Sequence, residues 1–405
     1  RTYRDDTGMV IKFYFDKMVG DKPYPNLATH IATPYTPKWR EFSSKHPFSE
    51  PPNLLEFMAF NKVSYDIVPF NKTDNDTFYI IAISWFDFNV NWFSLMSSEI
   101  IEKVRNNELK ILLYYWEADN PYQIHEHISK QAADHNIPSE QIKFISGNSE
   151  ADKIPNFFHF VDDELLFQYR NKKIAPVAFH SNYRTKKFTA LVRMHKYWRA
   201  NVMSTIWQKR LDTDGYFAYG NEITADEKEE DNPIEVDKFY GLRERTRIFL
   251  KSTPFTADVL DSNGHNDHTE SVLEHFNDAY INVVLESHMD VDQSNGVLLT
   301  EKTFKPIKNA QMFIIFGACG SLKLLREMGY KTFDHVLDNK YDTIQNTTKR
   351  WKTAMDMLTT VLDRSHNEIH QMYLQCESDL IHNQKLFNAS KANRLNKLLK
   401  EITND

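Results

Sequence analysis

The strongest constraint on this chain is a recurrence of short apolar runs with little polar alternation. They stand at residues 9–15 ("MVIKFYF"), 77–86 ("TFYIIAISWF"), 109–117 ("LKILLYYWE") and 142–148 ("IKFISGN"). A strand with one wet face alternates apolar and polar residues, whereas a strand covered on both faces is apolar along its length. Helix-like segments at 97–106 and 122–135 separate the later runs, the second closed by "HNIP". Strands that alternate with helices build parallel sheets, so the expected class is α/β.

The pattern restarts after "NKKIAPVAFHSNYRTKKFTALV". Lys172, Lys173 and Pro176 mark a linker, and a new strand begins near Lys187. The second series runs strand, helix (197–210), "DTDG" turn, strand "YFAYGN", an acidic insertion at 224–237 and a short helix at 273–276. It continues with the strand "AYINVVLES", the loop "HMDVDQSNG", the run "GVLLTEKTFKPI", the strand "MFIIF" and the helix "SLKLLREMG". Val297, Leu298 and Leu299 read as strand, Ser321 as a helix cap and Gly329 as a helix end. From 341 to 405 the period is helical, with an apolar stripe of Trp351, Met355, Leu358 and Leu362. The expected organisation is a first α/β domain at 1–175, a second at 176–340 and C-terminal helices at 341–405. Two open parallel sheets facing each other would set a ligand crevice at the C-terminal ends of their strands.

A formal charge of −7 and a pI near 6.2 leave the chain without the basic field of a non-specific nucleic-acid binder. Its two cysteines, Cys319 and Cys376, supply neither a disulfide framework nor a metal-ligand spacing. The expected setting is reducing and cytoplasmic. No apolar stretch approaches the roughly 20 residues of a membrane span, and "RTYRDDTGMV" is not a signal peptide.

Two corners carry candidate chemistry. In "GVLLTEKTFKPI" an apolar run stops at Thr300, a good N-cap, so Glu301 and Lys302 fall in a first helical turn. Free backbone N–H groups favour an anion there. Lys302 adds a full positive charge, while Glu301 can accept hydrogen bonds from sugar hydroxyls. The plainer account is a surface helix start, and Pro306 removes a donor early in that helix. At the second corner, a strand feeds a helix whose start carries Arg193, His195, Lys196 and Arg199. Arginine clamps phosphate through paired hydrogen bonds, although a basic surface face would read the same way.

The ordered blocks "FTALVRMHKYWRANVMSTIW", "YFAYGN", "YINVVLESHMD" and "LLTEKTFKPIKNAQMFIIFGACGSL" resemble the donor-binding domain of the α-1,3-fucosyltransferases. These are inverting enzymes of the two-Rossmann GT-B architecture. The resemblance covers about residues 180–335 and extends weakly back to "LLYYWEADNP" at 112–121. It implies a GT-B glycosyltransferase that moves a sugar from a nucleoside diphosphate, with GDP-fucose the first guess, to a glycan hydroxyl. On that basis Lys302 and Arg199 neutralise the diphosphate, Glu301 binds the ribose and Glu286 joins the donor site; Arg193, from the basic corner, is a further donor-binding candidate. Glu117 is the general base, with Asp119 in reserve. Ser287 stands where the family carries Asn, and Leu298 where it often carries Tyr.

Other readings use other residues. "DSNGHNDH" at 261–268, with Glu286, His288, Asp290 and Asp292, has metal-ligand residue types but no helical His spacing. No metal is expected, no cofactor beyond the nucleotide-sugar co-substrate, and His265 is better read as a donor contact. The triplets Asp212–Asp214 and Asp290–Asp292 are of a kind expected by chance among this many acids. A transferase acting on modified bases of viral DNA would need a basic groove, for which Arg184, Lys186, Lys187 and Arg193 form a short patch. A non-catalytic nucleotide-sugar-binding module is the remaining alternative.

Overall fold

The computed structural model describes residues 10–19, 22–24, 54–83, 86, 88–115, 119–194, 196–222, 243–253, 255, 273–289 and 296–404. In chain order the strands are β1 (Ile11–Tyr14), β2 (Lys17–Val19), β3 (Lys22–Tyr24), β4 (Tyr65–Ile67), β5 (Thr77–Ile83), β6 (Lys110–Tyr115), β7 (Ile142–Ser146), β8 (Phe157–His159), β9 (Lys186–Met194), β10 (Gly215–Glu222), β11 (Ala279–Leu285) and β12 (Met312–Phe316). The helices are α1 (Leu54–Phe60), α2 (Ser98–Arg105), α3 (Pro121–Asp134), α4 (Asp163–Arg170), α5 (Tyr197–Gln208), α6 (Arg243–Lys251), α7 (Leu273–Asp278), α8 (Glu301–Lys308), α9 (Ser321–Glu327), α10 (Thr347–Leu362), α11 (His366–Gln375), α12 (Glu377–Asn388) and α13 (Ala392–Asn404).

The chain divides into two compact units. One comprises Arg1–Tyr169, Gln293–Leu298 and Ser390–Asp405, the other Arg170–Asp292 and Leu299–Ala389. Each is α/β and is built on a parallel sheet. In the first unit the order is β4-β1-β5-β6-β7-β8. Alternation along β5 and β6 sends Tyr79, Ile81, Ile83, Ile111 and Leu113 to one core, shared with α2 and α3. Phe78, Ile80, Leu112 and Tyr114 go to the other. Both faces are therefore covered, which accounts for the unbroken apolar runs. Ser97 caps α2 by accepting the Ile100 N–H, and Asn120 caps α3 directly before Pro121.

In the second unit the order is β10-β9-β11-β12, again parallel throughout. The chain leaves β9 for β10 on one side and later fills β11 and β12 on the other. The topological switch point therefore lies between β9 and β11, where ligands of open α/β sheets collect beyond the strand ends. Gly215 is required where β10 begins, because a Cβ there would come within 2.5 Å of the Phe188 ring.

One expectation is refined and two are corrected. Residues 341–405, expected as C-terminal helices, divide between the units: α10, α11 and α12 belong to the second, whereas α13 belongs to the first. The reason is apolar fit, since Leu395, Leu398, Leu399 and Ile402 complete the first unit's core and Trp351, Met355, Leu358 and Leu362 are buried in α10. Residues 297–299 are not a strand. Val297 instead exchanges hydrogen bonds with Ser149, its N–H donating to Oγ at 2.9 Å and its carbonyl accepting the Ser149 N–H at 3.1 Å. The cap of α9 is Gly320 at φ 89°, not Ser321, and the Asp342 carboxylate accepts the Leu322 and Lys323 N–H groups at 2.9 Å. Gly329, at φ 95°, does follow the end of that helix.

The join of α13 to its unit is electrostatic as well as apolar. Glu164 is fully buried and is paired by Lys391 at 2.9 Å and by Arg394. Burial pushes the Lys391 amine below its ordinary range, against the pull of Glu164. Removing one member of a buried pair leaves an uncompensated charge. Glu164→Ala should thus lower unfolding stability by about 3–5 kcal/mol, read from urea denaturation at neutral pH.

Candidate functional site

The switch point of the second unit is occupied by two loops and two helix starts. β9 leads into α5, whose N-cap is Lys196, and β11 runs out into Glu286, Ser287, His288 and Met289. The third contributor is the start of α8, capped by Thr300, whose Oγ1 accepts the Lys302 N–H at 3.4 Å. Pro306 sits inside α8 without ending it.

Glu286 ties these pieces together. Its side chain is fully buried. Oε1 accepts the Thr300 N–H at 3.1 Å and the Thr303 hydroxyl at 2.6 Å. Oε2 accepts the Thr300 hydroxyl at 2.6 Å and the Ser287 N–H at 3.2 Å. With its acceptor sites engaged in this way, Glu286 shapes the corner from inside. Close packing behind it is strict, since a Cβ on Gly317 would lie 2.9 Å from Ser321 Oγ and 3.5 Å from Glu286 Cβ.

Three cations converge on the same loop. Lys196 Nζ donates to the Ser287 carbonyl at 3.0 Å, and the buried Arg199 donates through Nη2 to the Glu286 carbonyl at 3.0 Å. Lys302 Nζ reaches Ser287 Oγ at 3.4 Å, Thr300 Oγ1 at 3.3 Å and the Glu301 carboxylate at 3.1 Å. Between them His288 is pushed down to about 3, first by desolvation and then by Lys196, Arg199 and Lys302. The ring is therefore neutral at neutral pH. Arg350 anchors the far side of the loop, donating to the Met289 and Gly317 carbonyls.

Of the residues singled out in sequence, Arg199, Glu286, Thr300, Glu301 and Lys302 are thus brought together. Lys196, noted only as a basic neighbour, and His288, noted only for a metal reading, join them. No sequence signal marked Ser287 as the shared contact of two lysines. Arg193 lies in β9 with its side chain outside the described residues. Glu117, His195, His265 and the triplet at 290–292 also lie outside them.

Asp119, the reserve base, follows β6 in the first unit. Burial raises its carboxyl above the ordinary range, opposed by a hydrogen bond that the Tyr115 hydroxyl donates. Asp212–Asp214 is a helical turn leading into β10, and Asp214 pairs with Lys187 at 2.8 Å. No His, Cys, Asp or Glu group suited to a metal ion exists among the described residues. The basic patch invoked for a DNA substrate is corrected: Arg184 is fully buried, donating to the Phe276 and Ala279 carbonyls and lying 4.3 Å from the Tyr373 ring centroid. No described helix is long and apolar enough to cross a membrane.

Two outcomes follow from this geometry. Glu286→Gln replaces one acceptor by an N–H₂ facing donors and should cost about 1–3 kcal/mol of stability in a denaturant titration. The sign for His288 is set by its depressed value. Its neutral ring stabilises the fold fully above pH 6.5, and that contribution is lost as pH falls from 6.5 toward 3, because the unfolded chain binds the proton first. His288→Gln should accordingly flatten the stability loss between pH 7 and pH 5 seen in urea midpoints.

No family model matches the chain, and no curated protein matches it. A search of solved structures finds a chain described as an OtsA apo structure, at 8% identity, covering 87% of this chain and 96% of that one with a TM-score of 0.34. A likeness of that strength carries no argument about fold or function.

Proposed function

We propose that the chain is a GT-B glycosyltransferase that transfers a sugar, with inversion, from a nucleoside diphosphate donor to a hydroxyl acceptor. The observation that carries this reading is the convergence of Lys196, Arg199 and Lys302 on the Ser287–His288 loop at the switch point between β9 and β11. Oriented cations and a helix N-terminus in a partly desolvated corner suit a diphosphate leaving group. The ordered sequence blocks shared with α-1,3-fucosyltransferases span the same elements and support GDP-fucose as the first donor to try. A DNA acceptor is disfavoured, because Arg184 is enclosed and Lys187 is paired with Asp214.

In this reading the acceptor oxygen attacks the anomeric carbon as the bond to the diphosphate breaks. One carboxylate takes the acceptor proton, and the negative charge that develops on the leaving diphosphate is met by Lys302 and Arg199. Glu301 holds the ribose hydroxyls. Glu117 is the proton acceptor carried over from the resemblance. Asp119 is the alternative, since a carboxyl raised by burial is a better base near neutral pH.

The test is a thermal-shift panel of GDP, UDP, CMP and dTDP compounds. A ligand at a hundred times its Kd adds about 2.7 kcal/mol, which a melt detects as a shift of a few degrees. Lys302→Ala should weaken the best nucleotide about 10- to 100-fold, the worth of one charge-assisted contact. Glu117→Gln should retain binding and lower transfer about 10²- to 10⁴-fold. Full transfer by Glu117→Gln moves the base role to Asp119, and indifference to every nucleotide rejects the proposal.

A further inference from the structure

Away from the switch point, the second unit brings a thiol, a thioether and an imidazole together from three separate stretches of chain. Cys376 lies at the junction of α11 and α12, ending one helix and opening the next, and its side chain does not cap α12. Its sulfur is turned inward instead. Sγ stands 3.7 Å from the thioether of Met312, the first residue of β12, and 3.8 Å from Nε2 of His335, in the turn after α9. Cys376 and Met312 are fully buried, whereas the His335 side chain is 48% exposed. The cluster is therefore closed around its sulfurs and meets solvent through the imidazole. On the far side of that ring, Nδ1 faces the Asp379 carboxylate at 3.6 Å, from the first turn of α12.

We infer that Met312, His335 and Cys376 form a three-ligand site for a monovalent thiophilic cation of the copper(I) class, with Asp379 orienting the imidazole from behind. The separations suit a shared ion. With metal–sulfur bonds of about 2.3 Å and a metal–nitrogen bond of about 2.0 Å, trigonal ligands stand about 4.0 Å apart from sulfur to sulfur and about 3.7 Å from sulfur to nitrogen. A single S–H serves one neighbour at a time, whereas an ion serves all three ligands at once. Thiolate and thioether are soft ligands that select copper(I), and imidazole is compatible with it. Charge points the same way: one thiolate and one monovalent cation sum to zero, while a divalent ion would leave a net charge enclosed beside two buried sulfurs. A carboxylate behind a ligating histidine is the usual means of fixing its ring and tautomer. Burial pushes the Cys376 thiol up, so the free protein carries the S–H. Binding exchanges that S–H bond for a sulfur–metal bond and releases one proton to solvent, with no change of oxidation state. The ion would tie the start of β12 to the α11–α12 junction and to the turn after α9. Because β12 runs parallel to β11, Met312 lies at the opposite end of the sheet from the Glu286 corner, and this inference is independent of the nucleotide-sugar reading.

The test is an anaerobic titration of the full chain with copper(I) alone, in competition with a chromophoric copper(I) chelator. One equivalent should bind. Met312→Leu and His335→Ala should each weaken binding at least 10- to 100-fold, and Asp379→Asn should do so by a similar or smaller factor. Cys376→Ser should abolish it, while Cys319→Ser, at the chain's other thiol, should leave it unchanged. X-ray absorption at the copper edge should show two sulfurs and one nitrogen. The half-exposed His335 makes its variant the informative one should a substitution at either buried sulfur fail to fold. Equal affinity in the wild type and His335→Ala, or a copper shell without nitrogen, means capture by a lone thiol and overturns the site. So does failure to compete with the chelator at all.

Discussion

The geometry of the second unit's corner depends on one buried carboxylate. An ion enclosed in protein is costly unless donors surround it, and Glu286 has four, contributed by Thr300, Thr303 and Ser287. Those donors belong to two different stretches of chain, the exit of β11 and the start of α8. Satisfying the carboxylate therefore fixes where α8 begins. Once Thr300 is held, it caps the helix and Lys302 is directed back over Ser287. An acid in the interior of a corner thus determines where a cation on its rim stands.

The way the cations are held also matters. Lys196 and Arg199 donate to the carbonyls of Ser287 and Glu286, and a carbonyl satisfies a hydrogen bond without cancelling a charge. Lys302 pairs with Glu301 beside it in the helix. Three cations thus bear on the loop at the end of β11, beside the switch point. Burial, and after it these cations, push the His288 ring down. Fixing like charges in advance is the arrangement that favours a multivalent anion, because the reorganisation is complete before the ligand arrives.

Much of this was legible in the chain because the signals were local. The apolar runs at 77–86, 109–117 and 142–148 contain β5, β6 and β7, and Thr300 was readable as a cap from its position before Glu301. The failures arose where a group takes its partner from far along the chain. Val297 to Leu299 are as apolar as a strand, but Val297 spends its backbone groups on Ser149. Ser321 was a sound cap by composition, yet the donors of α9 go to Asp342. Elements of three residues, β4 and β8, carry too short a period to read at all. The helical tail was recognised as helical, but which core each helix completes depends on the opposing surface, as Leu395 and Trp351 illustrate.

Arg184 and Arg199 show how much of a basic residue's meaning lies in its partners. Both are nearly inaccessible, and both donate to backbone carbonyls. Arg184 is enclosed by Tyr280 and Tyr373, whose ring faces flank the guanidinium; the Tyr373 hydroxyl accepts from it, the Tyr280 hydroxyl accepts the Arg184 backbone N–H, and burial holds the guanidinium below its ordinary range. It serves the packing of β11 against α11. Arg199 sits one turn into a helix at the switch point, with Lys302 and Lys196 acting on the same histidine. Arg199 too lies over an aromatic ring, that of Trp198 at 5.2 Å, so aromatic contact does not separate the two arginines and their place in the sheet does. Arg184 precedes β9 and is held by packing, whereas Arg199 follows it, at the strand end beside the switch point.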